Sequence, residues 1–318
     1  MEVIDFTSAY VEQAAQIAKQ NYKEERGHVL ALPPVESVPD LTPFVENNLG
    51  VAALEGDRLV GFLCAVGPFE NAFRSTDAIG VFSPMGASGA VVENRAAIYA
   101  GMYQAAGEKW SGSGATSHAV CLYAHDKETQ NQFFRYGFGL RCIDAIREMD
   151  EITSPSHDDY SFSKVTLENA ATVLPLENML HKSYLASPFF MLRSELSEAE
   201  WLEYWKASKP YCFATKYKEQ PVAFIIAELE GENFIQDTAG YQHITGLYCL
   251  PEHRGKGISQ NLLNLMIRDL KEHGYSRLGV DYESINPSGS GFWQKYFTAY
   301  THSVVRRIDE HAVSPVRT

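Results

Sequence analysis

Cysteine is sparse in this sequence and shows no pairing pattern. Five stand in 318 residues, at 64, 121, 142, 212 and 249, with no Cys-x-x-Cys and no disulfide-like spacing. Ten histidines are scattered outside any ligand spacing, so neither a disulfide scaffold nor a structural metal site is legible. The cysteines lie mostly in apolar, strand-like runs and read as small core residues, which suits a reducing cytoplasm. Long apolar runs are missing too: the longest, such as Val222–Ala227, are far too short to span a bilayer. The first residues, Met-Glu-Val-Ile-Asp-Phe-Thr, lack the basic and apolar regions of a secretion signal. Positive charge is in deficit, 27 Lys+Arg against 40 Asp+Glu, for a net charge of −13. A phosphate backbone would be repelled, so nucleic acid is not expected as a partner, and with such short apolar runs neither is a membrane. A cationic acceptor such as an amine suits the acidity, with solubility as the plain alternative.

Against that background one basic segment stands out, Leu247-Tyr-Cys-Leu-Pro-Glu-His-Arg-Gly-Lys-Gly-Ile-Ser259. It reads as a strand, a tight glycine turn, and a helix from about Gly257 to Glu272. That order aims backbone N–H groups at one point, at the positive end of a helix dipole. Gly255 and Gly257 permit positive φ and close approach, Arg254 and Lys256 add charge, and Ser259 is small enough for an anion to sit close. A Walker loop is excluded because Gly-x-x-x-x-Gly-Lys-Ser/Thr is absent, and a dinucleotide fingerprint fails at Gln260. A solvated basic turn capping an ordinary helix is the plain alternative. Downstream, Tyr275–Tyr282 reads as a strand, followed by Asn286-Pro-Ser-Gly-Ser-Gly-Phe-Trp-Gln-Lys-Tyr-Phe297.

The two elements in this order resemble the acetyl-CoA site of the GCN5-related N-acetyltransferases (GNAT). Their signature is Arg/Gln-x-x-Gly-x-Gly/Ala after a strand, then Asn-x-x-Ala-x-x-Phe/Leu-Tyr-x-x-x-Gly-Phe after the next strand. Arg254, Gly257 and Ser259 fall on the first, with serine for the last small residue; Asn286, Gly289 and Phe292 fall on the second. The resemblance implies an acyl-CoA-dependent N-acetyltransferase acting on a small or peptide amine by direct attack, as a monomer or homodimer. It implies a cofactor-binding set of Leu247, Cys249, Leu250, Arg254, Gly255, Lys256, Gly257, Ile258, Ser259, Asn286 and Trp293. Within that set, Leu247, Cys249 and Leu250 would pair with the pantetheine arm where the fourth strand splays from the fifth. Cys249 would serve as a compact strand residue and not as an acyl carrier. One departure is chemical: Trp293 stands where the family uses a tyrosine to protonate the leaving thiolate, and an indole N–H is no proton source. Tyr296, one turn later, is the candidate acid, with core packing as its alternative role and Tyr300 farther off. The same substitution leaves open a non-catalytic acyl-CoA-binding sensor or scaffold. For the general base the candidates are Glu228, Glu230, His243 and Glu283, and nothing in the sequence chooses among them.

The first half repeats the plan. Val51–Leu63 and Tyr211–Ile225 both read as hairpins, with Val60 and Phe62 matching Val222 and Phe224 at an offset of 162. Ile79–Pro84 then aligns with Leu247–Pro251, helix follows over about 91–110, then a strand over Ser117–Tyr123, and Phe133-Phe-Arg-Tyr-Gly-Phe138 closes the copy. On this alignment Pro84-Met-Gly-Ala-Ser-Gly-Ala90 is the first copy's cradle, without arginine or lysine, and the copy is degenerate. His125-Asp126 reads as a helix cap, or alternatively a catalytic pair. The expectation is an α/β (α+β) fold of two tandem GNAT-like domains, each a mixed, mostly antiparallel twisted sheet flanked by helices. Their bounds are 1–150 and 161–310, with a polar linker over 151–160 and a tail over 311–318. Bacterial tandem acetyltransferases, mycothiol synthases among them, look similar in plan, and no motif singles out one of them. Ser183–Leu192, aromatic and broken by Pro188, reads as an acceptor lip or as a seam between domains. Trp201, Tyr204 and Trp205 read as the buried stripe of a helix.

Overall fold

A computed structural model describes residues 1–74, 78–229 and 233–313. The first series of elements is β1 (Glu2–Asp5), α1 (Val11–His28), α2 (Pro43–Glu46), β2 (Val51–Glu55), β3 (Arg58–Leu63), β4 (Val66–Phe69), β5 (Gly80–Ser83), β6 (Ser88–Ala90), α3 (Arg95–Gly112), β7 (Ser117–Tyr123), α4 (Lys127–Arg135) and β8 (Gly139–Glu148). The second is β9 (Tyr160–Val165), α5 (Leu174–Ser183), α6 (Glu198–Ser208), β10 (Tyr211–Tyr217), β11 (Gln220–Glu228), β12 (Tyr241–Cys249), α7 (Ile258–Glu272), β13 (Arg277–Glu283), α8 (Pro287–Tyr296), β14 (Thr298–Arg307) and α9 (Glu310–Val313). Each series runs through an initial strand, two helices, a hairpin, and then a parallel pair joined through a helix: β5 and β7 across α3, β12 and β13 across α7. The plan is therefore present twice, as the sequence pattern implies.

Contacts divide the chain into two units, Met1–Asp144 with the chain from Ala299 onward, and Ala145–Thr298. The sequence division, 1–150 and 161–310 with a linker between, differs from this at both seams. The end of β8, Ala145–Glu148, goes with the second unit, and β14 joins the first. The cause is strand pairing: β14 lies antiparallel to β7 in register from Thr301↔Tyr123 to Arg307↔Ser117. Buried Thr301 also donates its hydroxyl to buried Asp144. The polar segment read as a linker is strapped along α7. Ile152 N–H donates to Asn264 Oδ1 at 2.8 Å, Asn264 Nδ2 returns a bond to Ile152 O at 2.7 Å, and Asn261 Nδ2 donates to Pro155 O at 2.8 Å. Of the expected tail, Glu310–Val313 forms one helical turn, and 314–318 lie outside the described residues.

Side chains alternate across the hairpin strands, so each sheet buries both faces. In the first unit Val51 and Ala53 of β2 pack into the core that contains Ile98, Met102 and Trp110 of α3. Ala52 and Leu54 pack instead with Ala14 and Ala18 of α1. In the second unit Phe224 and Ile226 of β11 meet Trp201 and Trp205 of α6. Trp201 and Trp205 are 2% and 4% exposed, as expected of a buried stripe. Tyr204 is half-buried against the same core, stacks on Trp201 with ring centres 5.2 Å apart, and donates its hydroxyl to Glu228 Oε1 at 3.0 Å.

Backbone register revises the internal alignment. Val91 N–H donates to Val60 O at 2.9 Å, and Leu250 N–H donates to Val222 O at 2.9 Å. Val60 and Val222 are equivalent, so Val91 matches Leu250 and Ala90 matches Cys249. The first unit's counterpart of β12 is thus broken in two, β5 pairing with β7 and β6 pairing with β3. Pro84–Ala87 fills the break, so this stretch is not the lost cradle. The counterpart of the basic turn is the shorter Val91-Val-Glu-Asn94 ahead of α3.

Deleting residues 299–318 removes one of the two strands that pair with β7, leaving only β5, together with buried Tyr300 and Val304. The expected outcome in hydrogen exchange is loss of protection in Ser117–Tyr123, with α7 and β11 still protected.

Candidate active site

In the second unit the parallel pairing of β12 with β13 stops early. It runs from Tyr241↔Arg277 to Ile244↔Val280, while β12 continues to Cys249. On its other side β12 pairs β11 throughout, with a register shift that leaves Thr245 as the extra residue between Ala227↔Ile244 and Ile226↔Gly246. A bulge bends its strand and increases local twist, so β12 parts from β13 just after Thr245. The N–H groups of an antiparallel strand alternate in direction. Leu250 N–H is committed to β11, so that of Tyr248 points the same way and those of Leu247 and Cys249 face the gap. This separates the three expected pairing residues: Leu247 and Cys249 can offer N–H groups to a ligand in the gap, and Leu250 cannot.

Beyond the strand, the chain turns through Pro251–His253 into Arg254–Gly257. Gly255 and Gly257 have φ of 73° and 82°, the left-handed region that favours glycine. Gly257 is the N-cap of α7 and has no side chain with which to cap it, so the first-turn N–H groups of this 15-residue helix are left for a ligand. A Cβ at Gly257 would also lie 2.2 Å from Pro155 Cγ in the strap, a second reason for glycine there. Arg254 and Lys256 are exposed. Arg254 Nε donates to Cys249 O at 2.9 Å, which holds the guanidinium beside the gap and over Tyr248, 5.6 Å from the ring centre. His253 is held at Nδ1 by the Tyr160 hydroxyl at 2.9 Å.

These features open into one cleft of about 780 Å³. Leu247, Cys249, Arg254, Gly255, Gly257, Ile258, Ser259, Asn286, Trp293 and Tyr296 all line it, while Leu250 and Lys256 do not. Its far end is formed by Tyr184, Pro188 and Phe189, which places the aromatic lip on the cleft. Asn286 is the N-cap of α8 and accepts Gly289 N–H at 2.9 Å. A Cβ at Gly289 would fall 2.6 Å from Asn286 Nδ2, which explains the small residue at that spacing. Trp293 is 6% exposed and packs edge-on to Phe292 and Phe297. Tyr296 is half-buried beside Phe292. Tyr300 is fully buried in β14, belongs to the first unit and does not line this cleft.

The candidate bases divide. Glu228 is 6% exposed and engaged by Tyr204; it lies outside the cleft lining. His243 is 2% exposed, before the bulge, with Nε2 2.8 Å from Asp281 Oδ1. Glu283 ends β13, half-buried, and Glu230 lies outside the described residues. Sequence reasoning missed three titratable residues on the cleft wall, Glu177, Arg193 and Asp281. Burial alone would raise the Asp281 carboxyl, but His243 and Arg193 outweigh it and hold the carboxyl below its ordinary range. The sequence signal for Glu177 was its i,i+4 spacing to His181 on a helix; for Asp281, strand alternation beside the expected gap.

In the first unit the equivalent place is closed. Arg95 Nε donates to Ala90 O at 3.2 Å, the same bond that Arg254 makes to Cys249 O. The first copy therefore does carry an arginine here, contrary to the reading from Pro84–Ala90. Arg95 is spent on Glu24 at 2.7 Å and Asp126 at 3.8 Å, with its side chain 10% exposed. The cavity beside Met85, Ser88, Tyr99 and Tyr123 holds about 10 Å³. Asp126 caps α4 by accepting Thr129 N–H at 3.1 Å, while His125 turns to buried Glu25, so the two are not a catalytic pair.

Burial pushes the Cys249 thiol up to about 11, against the opposing pull of Arg254. Compared with an ordinary cysteine this leaves about 100-fold less thiolate at neutral pH, so iodoacetamide should alkylate Cys249 about 100-fold more slowly. Mass spectrometry of a timed reaction measures this. Asn286→Ala should cost about 1 kcal/mol in urea unfolding, the usual contribution of a side-chain cap.

Residues 178–297 match the model of the Acetyltransferase (GNAT) family. A GCN5-related N-acetyltransferase from Sphaerobacter thermophilus superposes with a TM-score of 0.56 at 9% identity, over 96% of this chain and 95% of that one. A GCN5-related glucosamine N-acetyltransferase region of a fungal multi-domain β-N-acetylglucosaminidase gives 0.50 at 10% identity, over 96% of this chain and 38% of that one. A tandem GNAT protein from the clavulanic acid biosynthesis pathway gives 0.45 at 12% identity, over 99% of both chains. No protein of curated function matches the sequence. At such identities the likeness is one of fold. The family match lies inside the second unit, whose residues 178–297 form an Acetyltransferase (GNAT) family domain, and the first unit repeats its order of elements.

Proposed function

We propose that the chain is an acyl-CoA-dependent N-acetyltransferase, moving an acetyl group from acetyl-CoA to a primary amine by direct attack in the second unit. The observation that carries this reading is the single cleft that joins an uncapped helix N-terminus, a splayed strand with inward N–H groups, and an aromatic lip. The N–H groups of Ile258 and Ser259, with Arg254 and Lys256, suit a pyrophosphate. The gap-facing N–H groups of Leu247 and Cys249 suit a pantetheine amide, and one of them would suit the thioester oxygen as charge develops on it. When bound, acetyl-CoA supplies the activated acyl group; the chain's part is to hold it extended, exclude water and manage protons.

Cys249 stays protonated, which supports direct transfer over an acyl-cysteine route. Tyr296 on the cleft wall is the candidate acid toward the departing thiolate. The amine would enter beneath Tyr184 and Phe189. Burial of Trp293 in the usual acid's place favours one rival, an acyl-CoA sensor that binds without turnover.

Calorimetry with acetyl-CoA should give micromolar binding at one site per chain. Arg254→Glu with Lys256→Glu should weaken it at least about tenfold while lowering stability by no more than about 1 kcal/mol, the usual contribution of the one hydrogen bond to Cys249 O that is lost. A panel of primary amines, followed by thiol release, then separates the enzyme from the sensor: only the enzyme consumes thioester.

A further inference from the structure

Glu177 and His181 stand one turn apart on α5, at the acceptor end of the cleft. Glu177 Oε1 lies 3.1 Å from His181 Nε2. The other oxygen, Oε2, is buried and has no hydrogen-bond partner among the described residues. It lies against β12 at Gly246, where an added Cβ would be 3.6 Å away. Gly246 follows the Thr245 bulge and precedes Leu247, so this bare oxygen stands where β12 leaves β13. A carboxylate oxygen removed from water and given no donor is costly, and its persistence suits a donor that arrives with a ligand.

The histidine side of the pair fixes its protonation chemistry. His181 Nδ1 is 2.6 Å from Ser194 O, and a carbonyl only accepts, so Nδ1 carries a hydrogen. Nε2 then faces a carboxyl oxygen, and their contact is a hydrogen bond only when one proton lies between them. The pair therefore has two states, empty and singly protonated. Contact with Glu177, opposed by burial and assisted by Ser194 O, raises His181 above its ordinary value. The other charged or titratable groups facing the pair are Arg193 in the loop after α5, Tyr184 at its end, Tyr204 of α6 and the buried Cys212 thiol of β10, with Asp281 and Glu283 of β13 beyond Tyr184. Arg193 opposes the charge on His181, and the carboxylates face Tyr184.

Building on the acetyltransferase reading, we propose that Glu177 Oε2 receives the acceptor's ammonium and takes one proton from it, with His181 Nε2 as that proton's resting place. One N–H bond of the ammonium breaks and an O–H bond forms at Oε2. Rotation of the carboxyl then passes the proton to Nε2, leaving the imidazolium–carboxylate pair. The neutral amine attacks the thioester carbonyl; the C–N bond forms, the C–S bond breaks, and a second amine proton goes to the departing thiolate. His181, its side chain 16% exposed, releases the first proton to solvent. An ammonium and a thioester thus give an amide, a thiol and one proton.

The empty pair is the active form, so kcat/KM falls as pH drops through the raised His181 value and is fully present above it. The test uses the full chain, acetyl-CoA and the best amine of the panel. In Glu177→Gln, kcat/KM should fall at least about 100-fold, the usual contribution of a general base. The calorimetric Kd for acetyl-CoA should stay within about twofold. The His181 titration, followed by NMR, should move to lower pH in the same variant. Glu177→Asp, which keeps the charge, should fold as the wild type does and recover part of the rate. Unchanged kcat/KM in Glu177→Gln with intact acetyl-CoA binding overturns the assignment and leaves the acetyltransferase reading standing. A wild-type chain that neither binds nor consumes acetyl-CoA overturns both.

Discussion

Backbone hydrogen bonding in β12 governs the rest of the second unit. A strand buried between two neighbours has its N–H and C=O groups satisfied on both sides. Here one extra residue at Thr245 bends β12 away from β13 while β11 keeps its hold. The strand then presents peptide groups on one side to open space, a few residues before the chain turns into α7. The gap-side carbonyl of Cys249 takes Arg254, which is why the guanidinium sits beside the gap although the residue is exposed. The cleft, the uncapped helix and the arginine are consequences of a single departure from regular pairing.

The first unit shows what happens when the same plan is closed. Its counterpart strand is broken by Pro84–Ala87, its turn is four residues shorter, and its N-cap Asn94 occupies the left-handed position that Gly257 holds in the second unit. Arg95 repeats the bond to the strand carbonyl, yet Glu24 and Asp126 neutralise it. Degeneracy here is an ion-pair substitution as much as a loss of residues. A charge already paired inside the protein has little field left to offer a phosphate.

Much of the basic end of the cleft was legible because it depends on local chemistry. Positive φ at two glycines, a helix start and adjacent basic side chains lie within one short segment, and each follows from residue type. Asn286 and its small partner Gly289 were legible as a spacing; the structure adds that the spacing serves a cap. The aromatic end of the cleft was not legible. Glu177 and Asp281 lie about a hundred residues apart and reach one cleft only because α5 and β13 are set around β12. The bases suggested from sequence were strand residues, and strand alternation cannot say which face another helix will cover. Tyr204 and Asp281 had already engaged Glu228 and His243.

The sequence by itself determined the repeated plan, the acetyltransferase resemblance of the second copy, and the basic turn ahead of α7. These rest on periodicity and on residues adjacent in the chain. Only the tertiary structure decided that β14 completes the first unit, that 151–155 is a strap on α7, and that Leu250 is committed to β11. It also decided that the first copy's arginine is Arg95, and that Glu177 stands at the bulge. Each of these turns on pairing between distant segments, where register and direction of a backbone group, and not residue identity, settle the outcome.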